Sequence, residues 1–133
     1  MKNLFILMLL AFCWTSPLAN ASPATDTLQA KYKSEGVSKI DAAKGKADWT
    51  KQVKGENGEM MSCATCHGSD LSKAGKHHKT SKVIEPMSIR VVAERLTDPK
   101  KIEKWFKRNC NDAWGRDCTF QEKADFLAFL LSQ

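Results

Sequence analysis

The sequence predicts an all-α domain of about five short helices. Three observations carry that expectation. Apolar residues recur at helical spacing late in the chain, as in Ile102, Trp105 and Phe106. Residues that cap helix N-termini stand just before such stretches: Asp98 ahead of Pro99, and Thr119 three residues ahead of Glu122. No run alternates well enough to form a half-buried sheet.

The chain has 133 residues, a single-domain length, with 42% hydrophobic and 27% charged residues. That balance excludes a disordered chain and a multi-span membrane protein. Lys and Arg outnumber Asp and Glu by 21 to 15, a formal net charge of +6. Such an excess can guide docking to an acidic protein or membrane surface, and no nucleic-acid partner follows from it.

Residues 1–21 read as a cleaved secretory signal. Lys2 supplies the positive end, and Leu4 to Trp14 is an apolar run too short to span a bilayer. Ser16-Pro17 breaks the run, and Ala19-Asn20-Ala21 offers the small residues of a cleavage site. A lipoprotein anchor at Cys13 would need a small residue before it, and Phe12 is bulky. The expected mature protein is therefore one domain, 22–133, in the periplasm. Only Lys2 is lost from the charge count, so the excess falls from +6 to +5.

The helices are expected in order. Asp26 can cap a first helix through Lys33, stopped near Gly36. Asp41 can cap a second through about Val53. Within it, Gly45 lies four residues before Trp49, the pattern of a close helix crossing. Gly55 to Ser62 reads as loop. Gly68 to Lys82 is polar and basic, with no acid from Lys73 through Lys76, His77, His78 and Lys79 to Lys82. A third helix is expected over about 88–96, with Ile89, Val92, Ala93 and Leu96 on one face. The fourth opens at Asp98-Pro99, and the last runs from the Thr119–Glu122 box through Phe126, Leu127, Phe129 and Leu130.

Four cysteines remain after removal of the leader. Cys63-Ala64-Thr65-Cys66-His67 is a C-x-x-C-H motif, the attachment signature of a c-type haem. Two thiols at that spacing can add to the two vinyl groups of haem, and the adjacent His67 is placed to ligate iron. No second CxxC completes a zinc site, and no βαβ pattern supports a thioredoxin-like use. The expected cofactor is one covalently attached haem c with its iron. Five short helices around one covalently bound haem describe the small class I cytochrome c fold.

The sixth iron ligand is less obvious. Met60 and Met61 lie too close to Cys63 to reach the far face easily, and Met87 is only 20 residues past His67. His77 and His78 read first as part of a solvated basic loop. Asn109 extends the stripe of Ile102, Trp105 and Phe106 to i+7, so it points inward. An unpaired amide there would cost about 1–3 kcal/mol unless a metal or the backbone satisfied it. Both readings stay open: an iron ligand, or a helix-end residue bonded to nearby backbone. Cys110 follows directly and pairs naturally with Cys118 in an oxidising compartment. Arg108 and Arg116 read as surface charges or as partners of the haem propionates.

The block Arg108-Asn109-Cys110-Asn111, then Gly115-Arg116-Asp117-Cys118-Thr119 and Glu122-Lys123-Ala124-Asp125, resembles the C-terminal signature of the sphaeroides haem protein family. These are small oxygen-binding class I cytochromes c. The similarity runs from about Asp41 to Gln133. It implies Asn109 as the sixth ligand in place of Met, and a Cys110–Cys118 disulfide. It further implies that the Asn leaves iron on reduction, so that oxygen, nitric oxide or another small ligand can bind. The implied partners are an acidic dihaem cytochrome c and, through it, a membrane cytochrome b.

Two function classes follow. One is a small-ligand haem protein, extending to an oxidoreductase acting on oxygen, nitric oxide or a nitrogen oxyanion. The other is a simple soluble electron shuttle. A non-redox ligand sensor is a third.

Overall fold

A computed structural model describes residues 22–55 and 57–133. The signal-peptide reading of residues 1–21 lies outside the described residues. Among the described residues there are five helices: α1 Pro23–Ser34, α2 Ala42–Thr50, α3 Cys63–His67, α4 Pro99–Trp114 and α5 Phe120–Leu131. The all-α expectation holds. Two antiparallel ladders of two residues per strand decorate the loops. β1 (Val53–Lys54) pairs with β2 (Met60–Met61), and β3 (Gly75–Lys76) pairs with β4 (Val83–Ile84). They are too short to show as alternation in the sequence.

The helix starts follow their caps. Asp98 Oδ1 accepts from the backbone N–H of Lys100 and Lys101, at 2.9 and 3.2 Å, and opens α4. Thr119 and Glu122 form the reciprocal capping box that opens α5. Asp41 caps α2 as expected, but that helix ends at Thr50 because Lys51 turns extended and Val53 pairs with Met61. Helix α1 starts earlier than expected. Ser22, not Asp26, is its cap, with Pro23 at the first helical position and Thr25 in place of the usual Glu or Gln of a capping box.

The helix expected over 88–96 does not form. Successive turns replace it, and Leu96 takes a left-handed φ of 61°. Ile89, Val91 and Val92 are β-branched and lose side-chain freedom in a helix. Tertiary bonds pull the segment elsewhere. Ser88 N–H donates to Leu71 O, Ser22 Oγ to Leu96 O at 2.6 Å, and the Arg95 guanidinium to the carbonyls of Glu85 and Pro86.

Helix α5 is the central beam. Phe126, Phe129 and Leu130 pack with Trp49 and Trp114 on one side, and Ala124 and Leu127 pack with Leu28, Tyr32 and Ile102 on the other. Helix α2 crosses α5 at Gly45, where the backbone of Asp125 leaves no room for a Cβ. Four residues on, the Trp49 ring meets Phe126 and Phe129 with centroids 6.2 and 5.8 Å apart. Helix α4 is tied to both neighbours through Glu103. Its carboxylate accepts from Lys31 at 3.0 Å and the Tyr32 hydroxyl at 3.2 Å on α1, and from Lys123 at 2.8 Å on α5. Burial alone would raise the Glu103 carboxyl, but the two ammonium groups outweigh it and hold it below the usual range.

Gly45→Ala should destabilise the holoprotein by about 1–3 kcal/mol, because a backbone carbonyl cannot step aside for the methyl group. This outweighs the gain of about 1 kcal/mol in helix propensity. Urea unfolding followed by circular dichroism checks it, with exposed Ala47→Ser as a control expected within about 0.5 kcal/mol of the parent.

Candidate haem site

Helices α3 and α4, with α2 and α5 behind them, enclose a cavity of about 330 Å³ whose walls are largely apolar. Trp49, Ile102, Phe106, Phe126 and Leu130 supply much of that surface. Cys63, Cys66, His67 and Asn109 all reach the same cavity. The structure therefore brings together the four residues singled out from sequence.

Helix α3 is one turn of the chain with the motif wound into it. Ser62 and Thr65 form a capping box at its start, and Gly68 ends it at a positive φ of 74°. Cys63 and Cys66 are half-buried free thiols. They have not paired with each other. Burial pushes the Cys63 thiol up to about 12, so it carries no charge at neutral pH. The His67 imidazole is pushed down to about 4, first by burial and then by the electrostatic influence of Arg95 and His77. It is a neutral ring, the form that binds a metal. Its Nδ1 is buried without a hydrogen-bond partner. The Trp49 ring packs against it at a tilt of 46°, with centroids 5.5 Å apart, and is itself anchored by donation from Nε1 to Gly68 O at 2.8 Å.

Behind α3 runs the β3–β4 hairpin. Gly75 lies against the backbone of Cys66 and His67, where any Cβ would collide with Cys66 O. This glycine was not singled out in the sequence. Its signal is purely spatial, since its φ is ordinary. His78 is in the same hairpin, with Nδ1 at 3.4 Å from Cys66 Sγ. His77 and His78 were read as a solvated loop. Instead they stack on each other at 5.1 Å, half-buried, on the cavity wall.

On the opposite element, α4 continues to Trp114, so Asn109 lies inside the helix and not at its end. It is half-buried, and among the described residues no hydrogen bond engages its side-chain amide. The residue bonded to nearby backbone is Asn111, which donates to Lys107 O at 2.7 Å and to Asp117 Oδ1 at 2.6 Å. Trp105, expected on the apolar stripe, lines the cavity but stays 42% exposed, with the Arg108 guanidinium 5.0 Å from its ring. Arg116 pairs with Glu122 and lies over Trp114, away from the cavity. Met60 is exposed, whereas Met61 and Met87 both reach the cavity wall.

Cys110 and Cys118 are disulfide-bonded, with Cα atoms 5.6 Å apart. The bridge closes the turn between α4 and α5 one residue beyond Asn109. Gly115 ends α4 in the left-handed region, and Arg116 forks onto both oxygens of Glu122 at 2.7 and 2.8 Å.

Two free thiols on one helical turn, a neutral histidine beside them, and an apolar cavity pressed against that turn fit a covalently attached haem. Fold and site together define a class I c-type cytochrome. Residues 35–130 match a family described as a domain of unknown function, DUF1924. The chain is 41% identical over 120 residues to cytochrome c-type protein SHP of Cereibacter sphaeroides, covering 87% of this chain and 92% of that protein. The structure of oxidised SHP, an oxygen-binding cytochrome c, aligns with a TM-score of 0.76 at 38% identity, over 85% of this chain and 100% of that one. The solution structure of cytochrome c'' from Methylophilus methylotrophus, concerned with haem-ligand detachment, aligns with a TM-score of 0.71 at 34% identity, over 82% of this chain and 93% of that one. The protein belongs to the sphaeroides haem protein family of c-type cytochromes and carries one covalently attached haem c with its iron.

Replacing Cys110 and Cys118 together by Ala should lower stability by about 2.6 kcal/mol, the chain-entropy value for so short a loop. Urea unfolding measures the loss. Mass mapping of unreduced parent protein should find the two cysteines linked in one peptide pair.

Proposed function

We propose that this is a periplasmic monohaem cytochrome whose iron is held by His67 and Asn109, and which binds a small ligand such as oxygen or nitric oxide when Asn109 lets go. Cys63 and Cys66 form the two thioether bonds. When bound, the haem would supply a one-electron couple and a metal that a side chain can hold or release. What distinguishes this chain is the side chain offered there.

The observation that carries the reading is the contrast within α4. Asn111 is satisfied by its own helix and by Asp117, whereas Asn109 faces the cavity with its amide uncommitted. An amide oxygen is a hard, neutral and weak donor. Ferric iron accepts such donors and ferrous iron holds them poorly, so reduction itself favours release. A detached Asn109 stays on a helix pinned by the disulfide. Its N–H₂ group can then donate to the incoming ligand. The description of the SHP structure as an oxygen-binding cytochrome c supports this reading, as does the concern with ligand detachment in cytochrome c''.

Electrons arrive, in this reading, from an acidic dihaem cytochrome c that is itself fed by a membrane cytochrome b. The cavity mouth favours an acidic partner. Lys82 from the basic loop and Lys101 and Arg108 from α4 all line it and all are exposed, so loop and helix share one rim. Lys76 and Lys79 are exposed in the same basic loop as Lys82, and Lys104 and Lys107 are exposed on α4 with Lys101 and Arg108.

Asn109→Ala should change the ferric absorption spectrum and speed azide binding roughly tenfold or more, the factor lost with a ligand bond worth about 1.4 kcal/mol. Stopped-flow mixing reads the rate, and unchanged spectra and rates would remove Asn109 from the iron.

Reduction by an acidic dihaem cytochrome should slow as salt rises, because the Debye length shrinks from about 30 Å at 0.01 M to about 8 Å at 0.15 M. Charge reversal at Lys76 and Lys79 should slow association, and so should reversal at Lys104 and Lys107, if the rim is shared. A second-order rate indifferent to ionic strength would argue against steering.

A further inference from the structure

Four Lys and Arg side chains line the haem cavity: Lys82, Arg95, Lys101 and Arg108. Three are exposed to solvent, and Arg95 is not. Its side chain retains 24% exposure, and its guanidinium is fixed by two backbone carbonyls. Nε donates to Pro86 O and Nη2 to Glu85 O, each at 3.0 Å. Both acceptors are neutral. The nearest carboxylate, Glu85, is 78% exposed and 3.8 Å away, a loose pair with little energetic weight. Two of the five N–H donors of the guanidinium are thus spent on orientation, and three remain.

A half-buried cation without a close counter-charge is costly, and it persists where a partner completes it. A haem c carries two carboxylates on flexible arms along one edge and is otherwise apolar. The cavity has apolar walls and one oriented, partly desolvated guanidinium. We propose that Arg95 is the anchor for a haem propionate, binding the carboxylate through its remaining N–H donors and thereby setting the position of the haem edge and the redox potential. The carbonyls of Glu85 and Pro86 act as positioning groups for that fork. Arg rather than Lys suits the task, since a planar fork matches a carboxylate in two bonds. The turns over 88–96 then have a purpose. The Arg95 clamp on the 85–86 backbone and the left-handed Leu96 belong to a segment folded so that its guanidinium faces the haem. The proposal rests on the haem, not on Asn109 as ligand.

The sign follows from charge. Losing the cation leaves a bare carboxylate beside the iron, which favours the ferric form. The holoprotein variants Arg95→Leu and Arg95→Lys are compared with the parent by potentiometric titration, with exposed Lys39→Gln as a charge-loss control outside the cavity. At a fixed poise Arg95→Leu should lower the reduced-to-oxidised ratio about tenfold, equivalent to about 59 mV for a one-electron couple. Arg95→Lys should keep most of the potential, and Lys39→Gln should leave it unchanged. A parent-like potential in Arg95→Leu, with only a lowered urea midpoint, would make Arg95 a loop clamp and overturn the proposal. Resonance Raman of parent and Arg95→Lys protein gives a second reading that does not need the Leu variant to fold. The propionate bending band should shift when the fork is replaced by a single ammonium, and an unmoved band would equally overturn the assignment. Neither readout moves if only Asn109 ligation is wrong, and azide binding to Asn109→Ala tests that separately.

Discussion

The rotation of α4 about its own axis decides what the haem cavity receives. At about 100° per residue, Ile102, Trp105, Phe106 and Asn109 share one stripe, and Glu103, Cys110 and Trp114 share another roughly a quarter turn away. The second stripe is the fastened one. Glu103 is held by Lys31, Tyr32 and Lys123, Cys110 is bonded to Cys118, and Trp114 packs on Phe126. With that face fixed at both ends, the first stripe has no freedom to turn. A one-residue slip would put Cys110 or Arg108 in the place that Asn109 takes on the cavity wall. The disulfide, the ion cluster and the cap at Asp98 therefore serve a single geometric end.

The elements that depend on local chemistry were legible in the sequence. Asp98-Pro99 and Thr119–Glu122 opened helices where expected, and Gly45 with Trp49 marked the α2–α5 crossing. Each of these signals lies within four residues of the structure it specifies. The segment 88–96 was misread because its determinants are distant. Ser88 bonds to Leu71, Leu96 to Ser22 and Arg95 to Pro86, and helical spacing of four apolar residues carries none of that information. Ser22 was missed as a cap for a smaller reason: Thr25 does the work usually given to Glu or Gln.

At the site, the motif Cys63–His67 could be read directly, because covalent attachment demands fixed residue types at fixed spacing. Asn109 could be placed facing inward by periodicity, although the absence of a side-chain hydrogen bond to it among the described residues could not. Gly75 and Arg95 left no trace. Gly75 matters through a contact with the backbone of Cys66, and Arg95 through its burial, and both are properties of the assembled fold.

Asn109 and Asn111 show how finely the fold discriminates between like residues. They are two positions apart on one helix, with the same amide and the same donors and acceptors. Two residues are about 200° of rotation, which sends one amide to the apolar cavity and the other to the α4–α5 turn. At the turn, Asn111 finds Lys107 O and Asp117 Oδ1 and stiffens the loop that the disulfide closes. In the cavity, Asn109 sits half-buried among largely apolar walls, and among the described residues no hydrogen bond engages its amide. A half-buried amide without a protein partner is free to take an outside one, a metal or water. In the proposed reading the amide is a weak donor, so a change of one electron at the metal would be enough to release it. On that same reading, a weak ligand on a helix too firmly pinned to carry it away would make that opening reversible.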